Sequence, residues 1–205
     1  SGGQGLFTKT LDARTFYGTT NLSSFTCFVV MKYNVNNADA TPKQACISFD
    51  GGSYGKAFYA VDDRDNSITG NVSKGPALFV GTWNGYVKRF RDYNGTPIQL
   101  PGNTWYLVMF SYTPGMDGDS TVANAYLDGH HVVVNWPCIA QDGAAYGSLG
   151  CQNSSTQMPT NDFFNGQISE IVFYSRALTN NERLSVENYL KNKWQLPFSY
   201  NGYTG

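Results

Sequence analysis

The sequence predicts an all-β fold, an antiparallel β-sandwich with one C-terminal helix. Charged residues make up only 14% of the 205 residues, against about 25% in average globular proteins. Gly (22), Tyr (14) and Phe (13) are plentiful. This composition is typical of strands joined by tight turns. The length fits as well, since sandwiches of about 200–250 residues are routinely single domains.

Residues 1–205 are expected to form one domain, with a flexible start over about residues 1–5 and a tail over about residues 197–205. The formal net charge is −1, and the chain lacks the basic stripe that neutralises phosphates in nucleic-acid-binding proteins. It has no run of about 18 apolar residues, so we expect no membrane span. Because the chain begins at Ser1 and not at Met, we expect a processed product or a piece of a longer protein.

Strand-like runs alternate with turn signals along the chain. Two neighbouring pairs are predicted hairpins, because Asn-Gly and Asp-Gly supply the positive φ of a tight turn. These hairpins turn at Trp83-Asn84-Gly85 and at Asp128-Gly129-His130. The predicted strands cover residues 25–33, 44–49, 56–61, 77–82, 86–91, 104–113, 121–128, 131–135 and 168–174.

The run over residues 104–113 is the strongest strand candidate, because both of its faces are apolar. Successive side chains of a strand point to opposite sides of the sheet. We therefore expect this strand to be covered on both sides. Its two faces are Trp105, Leu107 and Met109 on one side, and Tyr106, Val108, Phe110 and Tyr112 on the other.

One helix is predicted over residues 180–194. Thr179 is a suitable N-cap residue and Glu182 stands three residues later, which together form a capping box. Pro197 then bars continuation of the helix. Steps of three and four residues place five side chains on one face, which we expect to pack against the sandwich. These are Val186, Tyr189, Leu190, Lys193 and Trp194.

Three segments of the second half carry a family resemblance. Residues 163–196 run as a Gly-entered strand, a short turn and a capped helix that closes on Trp194. Earlier in the chain come Trp105-Tyr106-Leu107-Val108 and the turn Tyr126-Leu127-Asp128-Gly129. Together these segments resemble concanavalin A-like, laminin-G-like domains over about residues 104–196.

The resemblance implies a jelly-roll β-sandwich over the whole chain. It also implies that Trp105 and Trp194 belong to the pattern of the fold itself, so we expect both in the core. Domains of this kind mostly bind sugars or proteins on cell surfaces, and some cleave polysaccharides.

The sequence lacks the catalytic motif of polysaccharide-cleaving members of this fold. Laminarinase-like members carry Glu-x-Asp-x-x-Glu on one strand, where alternation places two carboxylates on the same face. This chain has glutamates only at positions 170, 182 and 187. Glu170 is the one glutamate on a predicted strand, and we expect it to pair with Arg176 or with backbone donors. An enzyme is the less favoured interpretation, and the sequence leaves the question open.

Two acidic loops offer the oxygen ligands that Ca²⁺ prefers. One contains Asp63 and Asp65, and the other contains Asp117 and Asp119. Neither loop has the spacing of an EF-hand, and solvated turns are the favoured interpretation. We therefore expect no cofactor, with Ca²⁺ at these four aspartates as the alternative.

The four cysteines show no metal-ligand spacing. Cys27 lies in an apolar run and is expected to be a core thiol. Cys138 and Cys151 flank a Gly-rich loop. The sequence leaves open whether these two close a disulfide or whether all four thiols, Cys46 included, are free.

A candidate sugar site lies at the tip of the first hairpin. Sugar recognition needs an aromatic face for the C–H side of the ring and polar groups for the hydroxyls. Two arginines on the hairpin favour acidic sugars, because a guanidinium pairs bidentately with a carboxylate. A further tryptophan at another strand end is a second stacking candidate. The predicted glycan-binding residues are Trp83, Asn84, Tyr86, Arg89, Arg91 and Trp136.

These observations favour a non-catalytic recognition module that binds glycans on a cell or polymer surface. The alternative is a virion or phage-tail structural or host-attachment domain that uses the sandwich as a scaffold. A polysaccharide-cleaving enzyme is the weaker alternative. The expected partners are a glycan or cell-surface polysaccharide and other subunits of a particle, and the expected location is extracellular or on a virion surface.

Overall fold

The computed structural model describes residues 6–12, 24–34, 43–50, 55–62, 74–81, 86–114, 120–139, 146–151 and 162–198. Within these ranges the chain forms eleven strands and one helix. The strands are β1 (Leu6–Asp12), β2 (Phe25–Tyr33), β3 (Gln44–Asp50), β4 (Gly55–Asp62), β5 (Gly75–Gly81), β6 (Tyr86–Arg89), β7 (Trp105–Pro114), β8 (Ser120–Leu127), β9 (His130–Ile139), β10 (Tyr146–Leu149) and β11 (Gly166–Tyr174). The helix is α1 (Asn180–Trp194).

The strands form two sheets that pack as a β-sandwich. The six-stranded sheet has the order β1-β10-β3-β4-β5-β6, and the five-stranded sheet has the order β11-β2-β7-β8-β9. Every neighbouring pair is antiparallel. The predicted all-β sandwich with one C-terminal helix is therefore confirmed. In the ranges given above, no helix is long and apolar enough to cross a membrane.

Aromatic side chains fill the space between the sheets. Phe110 of β7 packs against Phe58 of β4 with ring centroids 5.8 Å apart. Phe58 also stacks on Phe90, just after β6, at 5.7 Å. On the other side of the core, Phe25 of β2 stacks on Phe173 of β11 at 5.2 Å. Burial of such large apolar surfaces is the dominant favourable term in folding, so this layer holds the two sheets together.

β7 is covered on both faces, as its sequence predicts. On one face, Val108 and its alternate neighbours lie in the core between the sheets. On the other face, Leu107 and Met109 pack against Leu190 of α1 and against Leu196 just beyond the helix. Trp105 is only partly buried at the margin of this second cluster, because β7 begins there.

The predicted helix bounds and capping box are confirmed. Thr179 Oγ1 accepts a hydrogen bond from Glu182 N at 3.4 Å, and Glu182 Oε2 accepts one from Thr179 N at 2.9 Å. At the other end, Gln195 adopts a left-handed conformation with φ 49°, and its N–H donates to Lys191 O. These contacts satisfy backbone groups that a helix end otherwise leaves without partners.

The predicted packing face of the helix is wrong in part. Tyr189 is 54% exposed and Trp194 is 38% exposed, whereas Arg183, Glu187 and Leu190 are buried. Arg183 and Glu187 can be buried because they pair with each other at 2.7 Å. The free-energy cost of burying a charge is far smaller when the charge is paired. This pair can therefore lie on the side of the helix that faces the sandwich.

Both predicted hairpins are present. β5 pairs with β6, and β8 pairs with β9. The tip of the first hairpin lies outside the described residues. The second hairpin turns at Asp128 and Gly129, which both take left-handed conformations with φ 50° and 81°. That is the turn geometry that Asp-Gly favours.

The described cysteines are free thiols. Cys27, Cys46 and Cys151 are all buried and unbridged. The alternative in which Cys151 forms a disulfide with Cys138 is therefore not realised. Burial raises the pKa of Cys27 and of Cys151, which keeps both thiols protonated and weakly reactive.

Candidate functional site

A pocket of about 250 Å³ opens on one edge of the sandwich, where the segment after β6 meets the β8–β9 hairpin. We call it the edge pocket. Several of its side chains are apolar and shielded from solvent, while the exposed ones carry carboxylate, phenol and imidazole groups. The lining residues are Asp92, Tyr93, Ile98, Leu127, Asp128, His130, His131 and Val132.

A backbone hydrogen bond between the two sheets helps to fix this edge. β6 and β9 are edge strands of their respective sheets. Arg91 N, just after β6, donates to Val132 O of β9 at 3.1 Å, and Ile98 N donates back to Phe90 O at 2.9 Å. The Arg91–Val132 bond joins the two sheets, and the Phe90–Ile98 bond closes the loop formed by the segment between them.

A tight turn presents Tyr93 to solvent. Asp92 Oδ1 accepts hydrogen bonds from Asn94 N at 2.9 Å and from Thr96 N at 2.8 Å, which is the local bonding that favours aspartate in turns. Arg91 Nη1 donates to Gly95 O at 2.6 Å. The turn is thus braced from two sides, and the Tyr93 side chain at its tip is 78% exposed.

The opposite wall of the pocket contains a shielded carboxyl group. Leu107 N donates to Asp128 Oδ1 at 2.8 Å, which ties the β8–β9 turn to β7. Burial raises the pKa of Asp128 to about 7, and the Leu107 N–H partly opposes this rise. The nearby Glu187 carboxylate raises it further. Asp128 therefore changes its charge near neutral pH.

An aromatic stack supports the wall from behind. The imidazole of His131 lies parallel to the Tyr126 ring, with centroids 4.2 Å apart and planes at 4°. The guanidinium carbon of Arg183 lies 3.9 Å from the same ring centroid. Because His131 covers one face of the Tyr126 ring, the guanidinium lies on the other face. Burial lowers the pKa of His131, and the charge of Arg183 lowers it further. The imidazole is therefore a neutral, fixed part of the wall at neutral pH.

Arg91, one of the predicted glycan-binding residues, lies beside the edge pocket but does not line it. Its backbone is bonded to Val132 of the pocket wall. Trp83 and Asn84 lie outside the described residues. Tyr86 belongs to β6, where its backbone pairs with Val80, but its side chain lies outside the described part of the chain.

Arg89 does not stand on the surface as predicted. It is fully buried, and its Nη2 donates to Ile98 O at 3.4 Å. The β-ladder places Arg89 beside Ala77, in the row that continues through Tyr59. That row lies on the outer face of the six-stranded sheet, where Ala77 and Tyr59 belong to a separate buried cluster.

Trp136 is also less available than predicted. Its indole is partly buried and packs against the core between the sheets, opposite Ala123 of β8. Part of its ring is therefore used in packing and not open to a ligand.

The metal-ligand alternatives fall outside the described residues. These are Asp63, Asp65, Asp117 and Asp119. Among the residues that the structure does describe, no group of three or more His, Cys, Asp or Glu side chains is arranged to hold a metal ion.

Glu170 takes partners other than the predicted Arg176. Its carboxylate accepts hydrogen bonds from Lys193 Nζ at 3.0 Å and from Trp194 Nε1 at 2.6 Å. The Lys193 hydrogen bond is the main reason that the pKa of Glu170 is lowered. Arg176 pairs instead with Glu182 at 2.7 Å, because the capping box already holds that carboxylate beside the end of β11.

Asp92 and Tyr93 are not among the residues predicted from the sequence. A signal for them exists in the run Asp92-Tyr93-Asn94-Gly95, since aspartate followed by Asn-Gly is a turn pattern. An aromatic residue inside such a turn has little room to be buried. The hairpin just before this turn carries more aromatic residues and therefore gives the stronger sequence signal.

Comparisons with known proteins place this architecture among lectin-like folds. The family model Laminin_G_3, described as the concanavalin A-like lectin/glucanases superfamily, matches residues 34–182. No curated protein matches the chain significantly.

Solved structures share the architecture at low sequence identity. The CBM40 of the Ruminococcus gnavus IT-sialidase is 12% identical, with a TM-score of 0.51 over 90% of this chain and 92% of that one. The NanB sialidase of Streptococcus pneumoniae is 15% identical, with a TM-score of 0.49 over 90% of this chain. The chain spans only 27% of the NanB length. The binding domain of botulinum neurotoxin serotype D is 10% identical, with a TM-score of 0.49 over 93% of this chain and 41% of that one. At these identities the CBM40 likeness shows the fold alone.

Proposed function

The chain belongs to the concanavalin A-like lectin/glucanase superfamily, and on that premise we propose that it is a non-catalytic recognition module that binds a glycan at the edge pocket. The observation that carries this proposal is the placement of Tyr93. Its ring is exposed at the tip of a braced turn, beside the carboxylate of Asp92 and above apolar pocket walls.

The chemistry of the pocket suits a sugar ring. A pyranose has an apolar C–H face that stacks on an aromatic ring, and hydroxyls that need directional partners. Tyr93 offers the ring, while Asp92 and His130 offer polar atoms on the same rim. A volume of about 250 Å³ is below the roughly 300–1,000 Å³ of pockets for drug-sized ligands, which fits one or two sugar residues.

The edge pocket contains two carboxyl groups, Asp92 and Asp128, and each accepts backbone amide hydrogen bonds through its Oδ1 atom. Glycoside hydrolysis uses a pair of carboxyl groups flanking the scissile bond. All three glutamates of the chain are engaged in ion pairs: Glu170 with Lys193, Glu182 with Arg176 and Glu187 with Arg183. None of them lines the edge pocket.

A single site of this kind is expected to bind weakly, so the number of copies on a surface matters. A shallow sugar contact gives dissociation constants of roughly micromolar to millimolar, so useful attachment needs several copies. We therefore propose an extracellular or virion-surface setting, in which a particle or stalk carries several copies of the domain. The scaffold-only role in a virion or phage tail predicts assembly without glycan binding.

Tyr93→Ala tests the proposal on a glycan array followed by calorimetry. We expect loss of glycan binding with little change in melting temperature, because surface substitutions usually change stability by less than about 0.5 kcal/mol. Tyr189→Ala, at an exposed tyrosine of α1, is the matched control and should bind as the unmodified protein does. Binding by the Tyr93 variant at unchanged affinity would refute the edge pocket as the site.

Two further arms separate the remaining alternatives. Loss of binding in Trp83→Ala, with Tyr93→Ala unaffected, would move the site to the hairpin tip predicted from the sequence. Loss of binding in a chelator, restored by Ca²⁺, would support a metal at Asp63 and Asp65 or at Asp117 and Asp119.

A further inference from the structure

The ionisable groups of the edge pocket are two carboxyls and two imidazoles. Asp92 and Asp128 supply the carboxyls, and His130 and His131 supply the imidazoles. Among the described residues, no lysine or arginine lines the pocket. Its fixed charge is therefore negative or near zero, not positive.

Two guanidinium groups that lie close to pocket residues are engaged in other contacts. Arg91 Nη1 donates to Gly95 O at 2.6 Å and braces the turn. Arg183 donates to both carboxylate oxygens of Glu187, at 2.8 and 2.7 Å, behind the Tyr126 ring. Recognition of a sugar carboxylate by arginine relies on a free, planar fork of donors. Neither arginine presents that fork to the pocket.

The turn uses one of the two carboxylate oxygens of Asp92. Its Oδ1 is occupied by two backbone amides, which fix the plane of the carboxylate. Its Oδ2 makes no hydrogen bond within the described residues, and the side chain is exposed. An ionised carboxylate accepts but does not donate, so it matches the hydroxyl donors of a sugar and repels another carboxylate.

We infer that the edge pocket selects uncharged saccharides, with Asp92 Oδ2 accepting ligand hydroxyls beside the Tyr93 ring, and discriminates against acidic saccharides. The inference rests on the proposed function, because it names the ligand class of that same site. It replaces the preference for acidic sugars that the sequence suggested through Arg89 and Arg91. Arg89 is buried, and Arg91 is held by its own turn.

The size of the expected discrimination follows from charge proximity. Two like charges about 4 Å apart repel each other, and near a protein surface the repulsion is several times stronger than in bulk water. Each 1.4 kcal/mol is a factor of ten in affinity. We therefore expect about tenfold or greater preference for the uncharged member of a matched pair.

The test is an array at pH 7.5 and low salt that carries oligosaccharides of glucose, galactose and mannose beside matched oligosaccharides of the corresponding uronic acids. The expected result is binding to an uncharged member and at least about tenfold weaker binding to its acidic counterpart. Asp92→Asn keeps an acceptor oxygen for the turn. It should weaken binding of the uncharged saccharide severalfold and reduce the affinity ratio between the uncharged saccharide and its acidic counterpart. Glu170→Gln removes one surface charge elsewhere and should leave the ratio unchanged.

The outcomes separate the inference from the proposed function. Equal or tighter binding of the acidic members, lost on Tyr93→Ala, would overturn the inference and leave the glycan-binding function intact. An unchanged ratio in Asp92→Asn, with an unchanged melting temperature, would remove Asp92 from the assigned role. No binding to any sugar on the array would overturn both.

Discussion

Asp128→Asn is expected to make the protein more stable at pH 8. Asp128 has its pKa raised by burial from 3.8 to about 7, so the folded protein holds this proton more tightly than the unfolded chain. The stabilising contribution of the group is then complete below about pH 4 and is lost as the pH rises through about 7. Asparagine does not titrate, and its side-chain oxygen can still accept from Leu107 N.

The magnitude follows from the difference between the two pKa values. At 1.36 kcal/mol for each pKa unit, a rise from 3.8 to about 7 corresponds to at most about 4 kcal/mol at pH 8. Asparagine also tolerates the left-handed conformation that Asp128 adopts in its turn. We expect the gain to shrink by about 1.4 kcal/mol per pH unit between about pH 7 and pH 5.

Urea unfolding followed by tryptophan fluorescence between pH 5 and pH 8 measures this effect. Asp92→Asn is the matched control, because that exposed residue keeps its acceptor oxygen for the Asn94 and Thr96 amides. It should show no comparable gain. If Asp128→Asn were less stable than the unmodified protein at pH 8, the Leu107 hydrogen bond to an ionised carboxylate would outweigh the cost of burial.

Three further predictions concern stability and are measured by the same unfolding assay. Thr179→Ala removes part of the capping box and should lower the free energy of unfolding by roughly 0.5–2 kcal/mol. Leu190→Ala, in the buried cluster under the helix, should lower it by roughly 2–5 kcal/mol. The reverse order would mean that α1 is not docked through Leu190. Gly75→Ala drives a Cβ into the Arg89 guanidinium and a backbone carbonyl and should cost roughly 1–3 kcal/mol, so an unchanged stability would contradict the buried position of Arg89. Glu187→Gln leaves a buried guanidinium without its counter-charge and should lower the free energy of unfolding by roughly 3–5 kcal/mol. Glu170→Gln breaks an exposed pair and should lower it much less. Equal losses would contradict the burial of the Arg183–Glu187 pair.

Local patterns were sufficient to predict the elements that depend on local rules. The capping box at Thr179 and Glu182 needs only neighbouring residues, and the structure contains it. The two apolar faces of β7 require two covering layers, and the other sheet and the helix supply them. The Asp128-Gly129 turn follows from the conformations that those two residue types accept.

The errors arose where one residue changes the environment of another. Arg183 and Glu187 look like surface residues until their pairing and the Tyr126 ring are known. Trp194 looks like a core residue, but Glu170 offers it a hydrogen bond at the rim. Arg89 follows strand alternation onto an outer sheet face, and that face is buried. The pattern of hydrophobic residues along the chain does not show which distant residues come into contact, so these placements could not be predicted from it.

The Tyr126 ring has a practical consequence for dissecting the protein. The ring is clamped between His131, which belongs to the pocket wall, and Arg183, which belongs to the helix. A shortened protein that ends before residue 180 would lose the Arg183 contact with the Tyr126 ring. It would also lose the packing of Leu190 and Leu196 against β7. Boundaries for recombinant production should therefore extend to at least residue 198, although the helix itself contributes no residue to the edge pocket.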